Sequence, residues 1–160
     1  MDNTLNDYEK IEKLIQHSRI VMVTFTNHDG HLHSAPMTRQ NKTFDGNVFF
    51  IGAKHSELVQ SITSQPEVNL AYSGSDSFVS ISGKAQCIND PQLLEELWSP
   101  AYQIFFKEGL HDPDIQLIQV TCHGAQYWEG DGKLVTLFKL AKASVTGEQD
   151  NLGESKSMRL

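Results

Sequence analysis

The 160-residue chain is 39% hydrophobic and 21% charged, which suits one globular domain with a substantial core. Its net charge of −7 argues against a nucleic-acid surface, while leaving room for a local pocket that takes an anion. No apolar run approaches the ~20 residues of a membrane span. The only cysteines, Cys87 and Cys122, have no C-x-x-C spacing and read as reduced, buried thiols of a cytoplasmic protein.

Residues 4–18 read as a surface helix, with Leu5, Tyr8, Ile11 and Ile15 on one face. Ile20–Thr26 is a β-branched strand. Asn27-His28-Asp29-Gly30 turns it into a return strand, His31–Gln40. Pro36 has no N–H, so that strand belongs at a sheet edge, a bulge or a split. Neighbouring backbone groups then need another partner: water, or a flat heteroaromatic ligand with its own donors and acceptors.

After an Asp45-Gly46 turn, Val48–Ile51 reads as a short buried strand. Ser56 is placed to cap a helix over 57–64, with Lys54 just before it. Such a helix start attracts a phosphate, although an ordinary capped strand–helix joint gives the same pattern. Val68–Ser73 alternates as a half-buried strand, and Phe78–Ile88 is a long strand in which Gly83 marks a bulge or bend. Asp90-Pro91 opens a helix bearing Leu94, Leu97 and Trp98.

Ala101–Phe106 is a short aromatic helix or turn. Ile115–Cys122 and Ala125–Glu129 form a strand bent at His123-Gly124. Asp131-Gly132 turns the chain, and Leu134 to Val145 has helical spacing. Residues 148–160 are polar and read as a loose tail. About six hairpin-linked strands with flanking helices predict an α+β fold whose antiparallel sheet closes into a barrel.

The chain offers little classical catalytic chemistry. His31 and His33 share a strand face, yet no acidic or Cys partner stands at a supporting spacing, so no metal site is predicted. His55-Ser56-Glu57 are adjacent, point apart and cannot align as a triad. A nucleophile elbow, a Walker loop and a Rossmann glycine pattern are all missing. No catalytic residue is assigned.

An ordered set of segments resembles the pyridoxamine 5′-phosphate oxidase-like FMN-binding split barrels. The segments are Asn27–Gly30, Leu32–Met37, Asp45–Phe50, Ser56, Pro66–Tyr72, Val79–Ala85 and Glu96–Trp98. Gly109, Asp112-Pro113, Leu117–Val120 and Ala125–Trp128 narrow the resemblance to the general stress protein 26 branch. It implies a six-stranded antiparallel split β-barrel over residues 1–147, a homodimer, and FMN, or in some members FAD, in clefts at the dimer interface. Carried onto this chain, the flavin contacts are Ser34, Ala35, Pro36, Met37 and Thr38 with Phe49, Phe50 and Ile51 for the pyrimidine edge. Lys54 and Ser56 are assigned to the phosphate, and Trp98, on a helix that the resemblance places against the partner subunit, to a ring wall supplied by the opposite subunit.

Two positions depart from the family. Ala35 replaces a frequent Arg, and Leu58 replaces a frequent Lys, leaving Lys54 and Arg39 as the candidate phosphate cations. Three functions fit this sequence. One is an FMN oxidoreductase acting on an unknown small molecule in a stress response. The others are a flavin-binding or flavin-sensing protein without turnover, and a dimeric scaffold that has lost its cofactor.

Overall fold

The computed structural model describes residues 3–130 and 154–160. The turn at Asp131-Gly132 and the helix expected from Leu134 to Val145 lie outside the described residues. Among the described residues there are three α-helices, α1 (Asn3–Ile15), α2 (Glu57–Ile62) and α3 (Pro91–Leu97). Seven strands accompany them: β1 (Ile20–Thr26), β2 (Leu32–Thr38), β3 (Asn47–Ala53), β4 (Glu67–Ser73), β5 (Ser77–Ile88), β6 (Ile115–Glu129) and β7 (Glu154–Arg159). The sheet order is β2-β1-β4-β5-β6-β3, with β7 also on β6, and every pairing is antiparallel.

The fold is α+β, as expected, but the sheet does not close. The outermost strands of that order, β2 and β3, approach each other without pairing. The opening is therefore a split between those two strands. β6 continues as one strand through His123-Gly124, where the sequence suggested a bend, and its register with β5 shifts there: Ser82 faces Gly124 and Gly83 faces Cys122, which leaves His123 as the extra residue of a bulge. The larger correction concerns the tail. Glu154–Arg159 is a strand, not loose chain, and it pairs with Gly124–Glu129 of β6. β3 covers only Ile115–Thr121 of that strand, so β7 takes up ladder groups that β3 leaves open. Met158 then joins the core.

Local chemistry sets the hairpins and caps. Asn27 Oδ1 accepts from the N–H groups of Asp29 and His31, and Gly30 takes the left-handed position (φ 81°). Asp90 caps α3 through the Leu93 N–H, with Pro91 in the first turn. The main core lies inside the curved sheet, where Val21, Leu70, Tyr72 and Ile81 meet Ile11 and Ile15 of α1 and Leu58, Val59 and Ile62 of α2. Glu12 ties α1 to the end of β2, accepting from Arg39 at 3.0 and 3.2 Å and from the Phe44 N–H at 2.7 Å.

A second cluster forms where α3 and the 3-10 helix Pro100–Ile104 lie over β3 and β6. Leu94, Leu97, Trp98, Tyr102 and Phe106 pack there on Ile51, Ile115 and Leu117. Trp98, Tyr102 and Phe106 therefore cap their own chain, while Phe105 stays exposed.

The cysteines divide. Cys122 is buried and Cys87 is exposed, contrary to expectation. β4 ends its pairing at Lys84, so the last residues of β5 lie beyond its cover. Burial pushes the Cys122 thiol up to about 12, which keeps it protonated and unreactive. A thiol reagent on the native protein is expected to modify Cys87 and to spare Cys122 until unfolding. Peptide mass spectrometry checks this, and equal labelling rates for both would contradict the packing.

Candidate functional site

The ladder between β1 and β2 decides which backbone groups face the split. Arg39 N–H donates to the Arg19 C=O at one end, and Asn27 N–H donates to the His31 C=O at the other. With the register Val21↔Met37, Val23↔Ala35 and Phe25↔His33 between them, the ladder bonds fall on residues 33, 35 and 37. The N–H and C=O groups of Ser34 and Thr38 and the C=O of Pro36 therefore face the split. Pro36 occupies a position whose N–H would have had no strand partner, so it costs the ladder nothing. On β3 the bonds from Cys122 N–H to the Gly46 C=O and from Lys54 N–H to the Asp114 C=O fix the same alternation. The backbone groups of Phe49, Ile51 and Ala53 turn away from β6 in consequence.

Between these lips lies a cavity of about 660 Å³, within the usual ligand range of about 300–1,000 Å³. It brings together Ser34, Ala35, Pro36, Met37, Thr38, Ile51 and Ser56 of the residues singled out from sequence. Phe49, Phe50, Lys54 and Trp98 do not line it. Phe50 is buried in the main core, and Phe49 sits under Lys42 in a cation–π contact of 5.8 Å. Lys54 opens onto a separate cavity beside Asp90 and Gln116. Trp98 lines an adjoining cavity that shares Thr38, Tyr102 and Phe105 with this one, with its ring 5.5 Å from that of Tyr102 and 6.2 Å from that of Phe106.

The apolar wall comes from residues that local sequence signals did not assign to a site. Tyr102, Phe105 and Phe106 line the cavity from the 3-10 segment, with Phe25 and Leu58 from the barrel side. Gly52 and Ala53 extend the β3 lip. Their place one and two residues after Ile51 on the same strand was the available signal.

One acid–base pair was also missed. His33 Nδ1 of β2 lies 3.1 Å from a carboxylate oxygen of Glu57, the first residue of α2, and both line the cavity. His33 Nε2 is 3.4 Å from the Asn27 amide. Glu57 lies 24 positions from His33, beyond any local pattern. The neighbours that could be mistaken for a triad are engaged separately: His55 pairs with Asp114, while Ser56 Oγ donates to the Ala53 C=O and accepts from the Val59 N–H. No group of three or more metal-ligating side chains occurs among the described residues.

The cavity fits one end of a flavin and not the other. A flat ring system finds an aromatic and aliphatic wall with backbone donors and acceptors along β2. A phosphate finds no Lys or Arg among the described lining residues. Arg39 is held by Glu12, with its side chain only 11% exposed.

Similarity to known proteins agrees with this architecture. The family model described as "Pyridoxamine 5'-phosphate oxidase like" matches residues 6–151. No curated relative matches the chain. A Jannaschia sp. CCS1 structure assigned as general stress protein 26 is 24% identical, covers 100% of both chains and superposes with a TM-score of 0.71. The general stress protein 26 of Bacillus anthracis is 21% identical over 76% of this chain and 93% of its own, with a TM-score of 0.68. The general stress FMN/FAD binding protein of Xanthomonas citri is 28% identical over 79% of this chain and 90% of its own, with a TM-score of 0.67. With the split between β2 and β3, the cavity it opens and a family match over nearly the whole length, this chain belongs to the pyridoxamine 5′-phosphate oxidase-like family.

Proposed function

We propose that this protein is a cytoplasmic flavoprotein of the general stress type that holds the isoalloxazine ring of FMN, or of FAD, between β2 and β3. The observation that carries this reading is the cavity itself. It has ring size, an aromatic wall, and outward-facing backbone groups of Ser34, Pro36 and Thr38 along one lip. The Xanthomonas citri relative, an FMN/FAD binding protein, supports it. A bound flavin would supply hydride or single-electron transfer.

His33 and Glu57 favour turnover over passive binding. Glu57 orients the imidazole, and the imidazole can hold or release a proton at the cavity for a small-molecule substrate.

The same reading includes a homodimer. Phe78 is 54% exposed and lies opposite Trp128, which is 41% exposed, on the outer sheet face. Next to them Met22, Ala71, Ser80 and Gln126 are in register, so this part of the face is uncharged. A second copy would cover it; of the α3 and 3-10 residues that the sequence suggested for the interface, Leu94, Leu97, Trp98 and Phe106 pack on their own chain, while Phe105 is 74% exposed and open to a partner.

The test is the absorption spectrum of the purified protein with added FMN. A flavin band that survives desalting is expected, and bleaching by NADH or NADPH would mark an oxidoreductase. A protein that retains no flavin would leave the scaffold reading in its place.

A further inference from the structure

The cleft has an electrostatic character unlike that of a phosphate site. Among the described lining residues the acidic and basic side chains are His33 and Glu57, which pair with each other. Ala35 and Leu58, which stand where the resemblance places Arg and Lys, both line the cavity. The nearest alternatives are engaged elsewhere. Arg39 lines an adjoining cavity that shares Thr38, Tyr102 and Phe105 with the cleft, but its guanidinium is bound to Glu12; Lys54 lines a different cavity, and the Ser56 hydroxyl is used within its own turn. A phosphate monoester carries close to two negative charges near neutral pH. Moving it from water beside a carboxylate, with no cation to pair it, is unfavourable.

We propose that this cleft recognises a flavin by its ring alone and leaves the phosphate in water. The ligand class is then a flat heteroaromatic whose anionic tail contributes nothing to affinity. Riboflavin, FMN and FAD would enter alike. This rests on the flavin reading above, and it separates this chain from relatives that carry cations at positions 35 and 58. Specificity resides in Ser34, Pro36 and Thr38 backbone groups and in the Tyr102 and Phe105 wall.

Quenching of flavin fluorescence by the full chain tests it at low and high salt. The expected dissociation constants for riboflavin, FMN and FAD lie within fivefold of one another and do not change with salt. Ala35→Arg is expected to make FMN at least tenfold tighter than riboflavin, an advantage that salt removes. Ala35 is half-buried and borders the cavity, so the new side chain has open space to enter. FMN bound more than fivefold tighter than riboflavin by the unaltered protein overturns the proposal and places a cation from a second copy or from another segment at the phosphate. A folded Ala35→Arg protein with no FMN advantage also overturns it. Failure of all three flavins to bind overturns the flavin reading itself, and this inference with it.

Discussion

Ala53→Trp is expected to close the cleft to flavins. Ala53 ends β3, lines the cavity from the lip opposite β2, and is half-buried. An indole there occupies the space between the β3 lip and the aromatic wall of Tyr102 and Phe106. The expected loss of riboflavin affinity is at least a hundredfold, or about 2.7 kcal/mol. Ala53 also packs against the Ile51, Tyr102 and Phe106 cluster, so the melting temperature is followed beside the titration, and the loss of affinity is read on a variant that still unfolds cooperatively. Fluorescence titration and thermal unfolding check the two parts together. Full affinity in the variant would place the ring elsewhere.

Gly83→Val should have the largest effect on stability. β5 and β6 form the longest ladder of the sheet, from Ser77↔Glu129 to Ile88↔Leu117, and its register shifts between Ser82 and Gly83. A Cβ at Gly83 would lie 2.6 Å from the Thr121 carbonyl oxygen and 2.8 Å from Val120 Cγ1. The nearest of these atoms is backbone, so relief requires the two strands to part at the bulge. Overpacking in a core costs about 1–3 kcal/mol, and a backbone clash that splits a central ladder belongs at or above the top of that range. Urea unfolding should show a loss of about 3 kcal/mol or more, a large share of the 5–15 kcal/mol typical of a domain. A loss under about 1 kcal/mol would mean that the bulge adapts freely.

These two residues also mark what the sequence could and could not reveal. Gly83 was legible, because a lone glycine inside a strand pattern signals a bulge. Ile20–Thr26, the Gly30 hairpin, the Ser56 cap and the Asp90-Pro91 helix start were legible for the same reason: each depends on residues within a few positions. Pro36 pointed to the split, and the ladder shows why its missing N–H costs nothing there.

The rest depended on the path of the chain. Lys54 and Ser56 are two residues apart, yet one lines a separate cavity and the other lies in the cleft. Trp98 was read as a ring wall supplied by the opposite subunit; within one chain, Tyr102, Phe105 and Phe106 line the cleft, and Trp98 lines the adjoining cavity that shares Thr38, Tyr102 and Phe105 with it. The His33–Glu57 pair joins a strand to a helix across the split, and no local spacing encodes that. β7 was missed because a short polar segment carries a weak strand signal, whereas the ladder groups of β6 decide its pairing.

The central claim is that a flavin ring lies between β2 and β3. Backbone amide shifts followed by NMR during titration with riboflavin test it most directly. The account predicts the largest changes at the Ser34, Thr38 and Ile51 amides, whose N–H groups face the split, with smaller changes at residues 33, 35 and 37 of the same strand. Changes centred on Lys54 and Trp98, with Ser34 and Thr38 undisturbed, would contradict it.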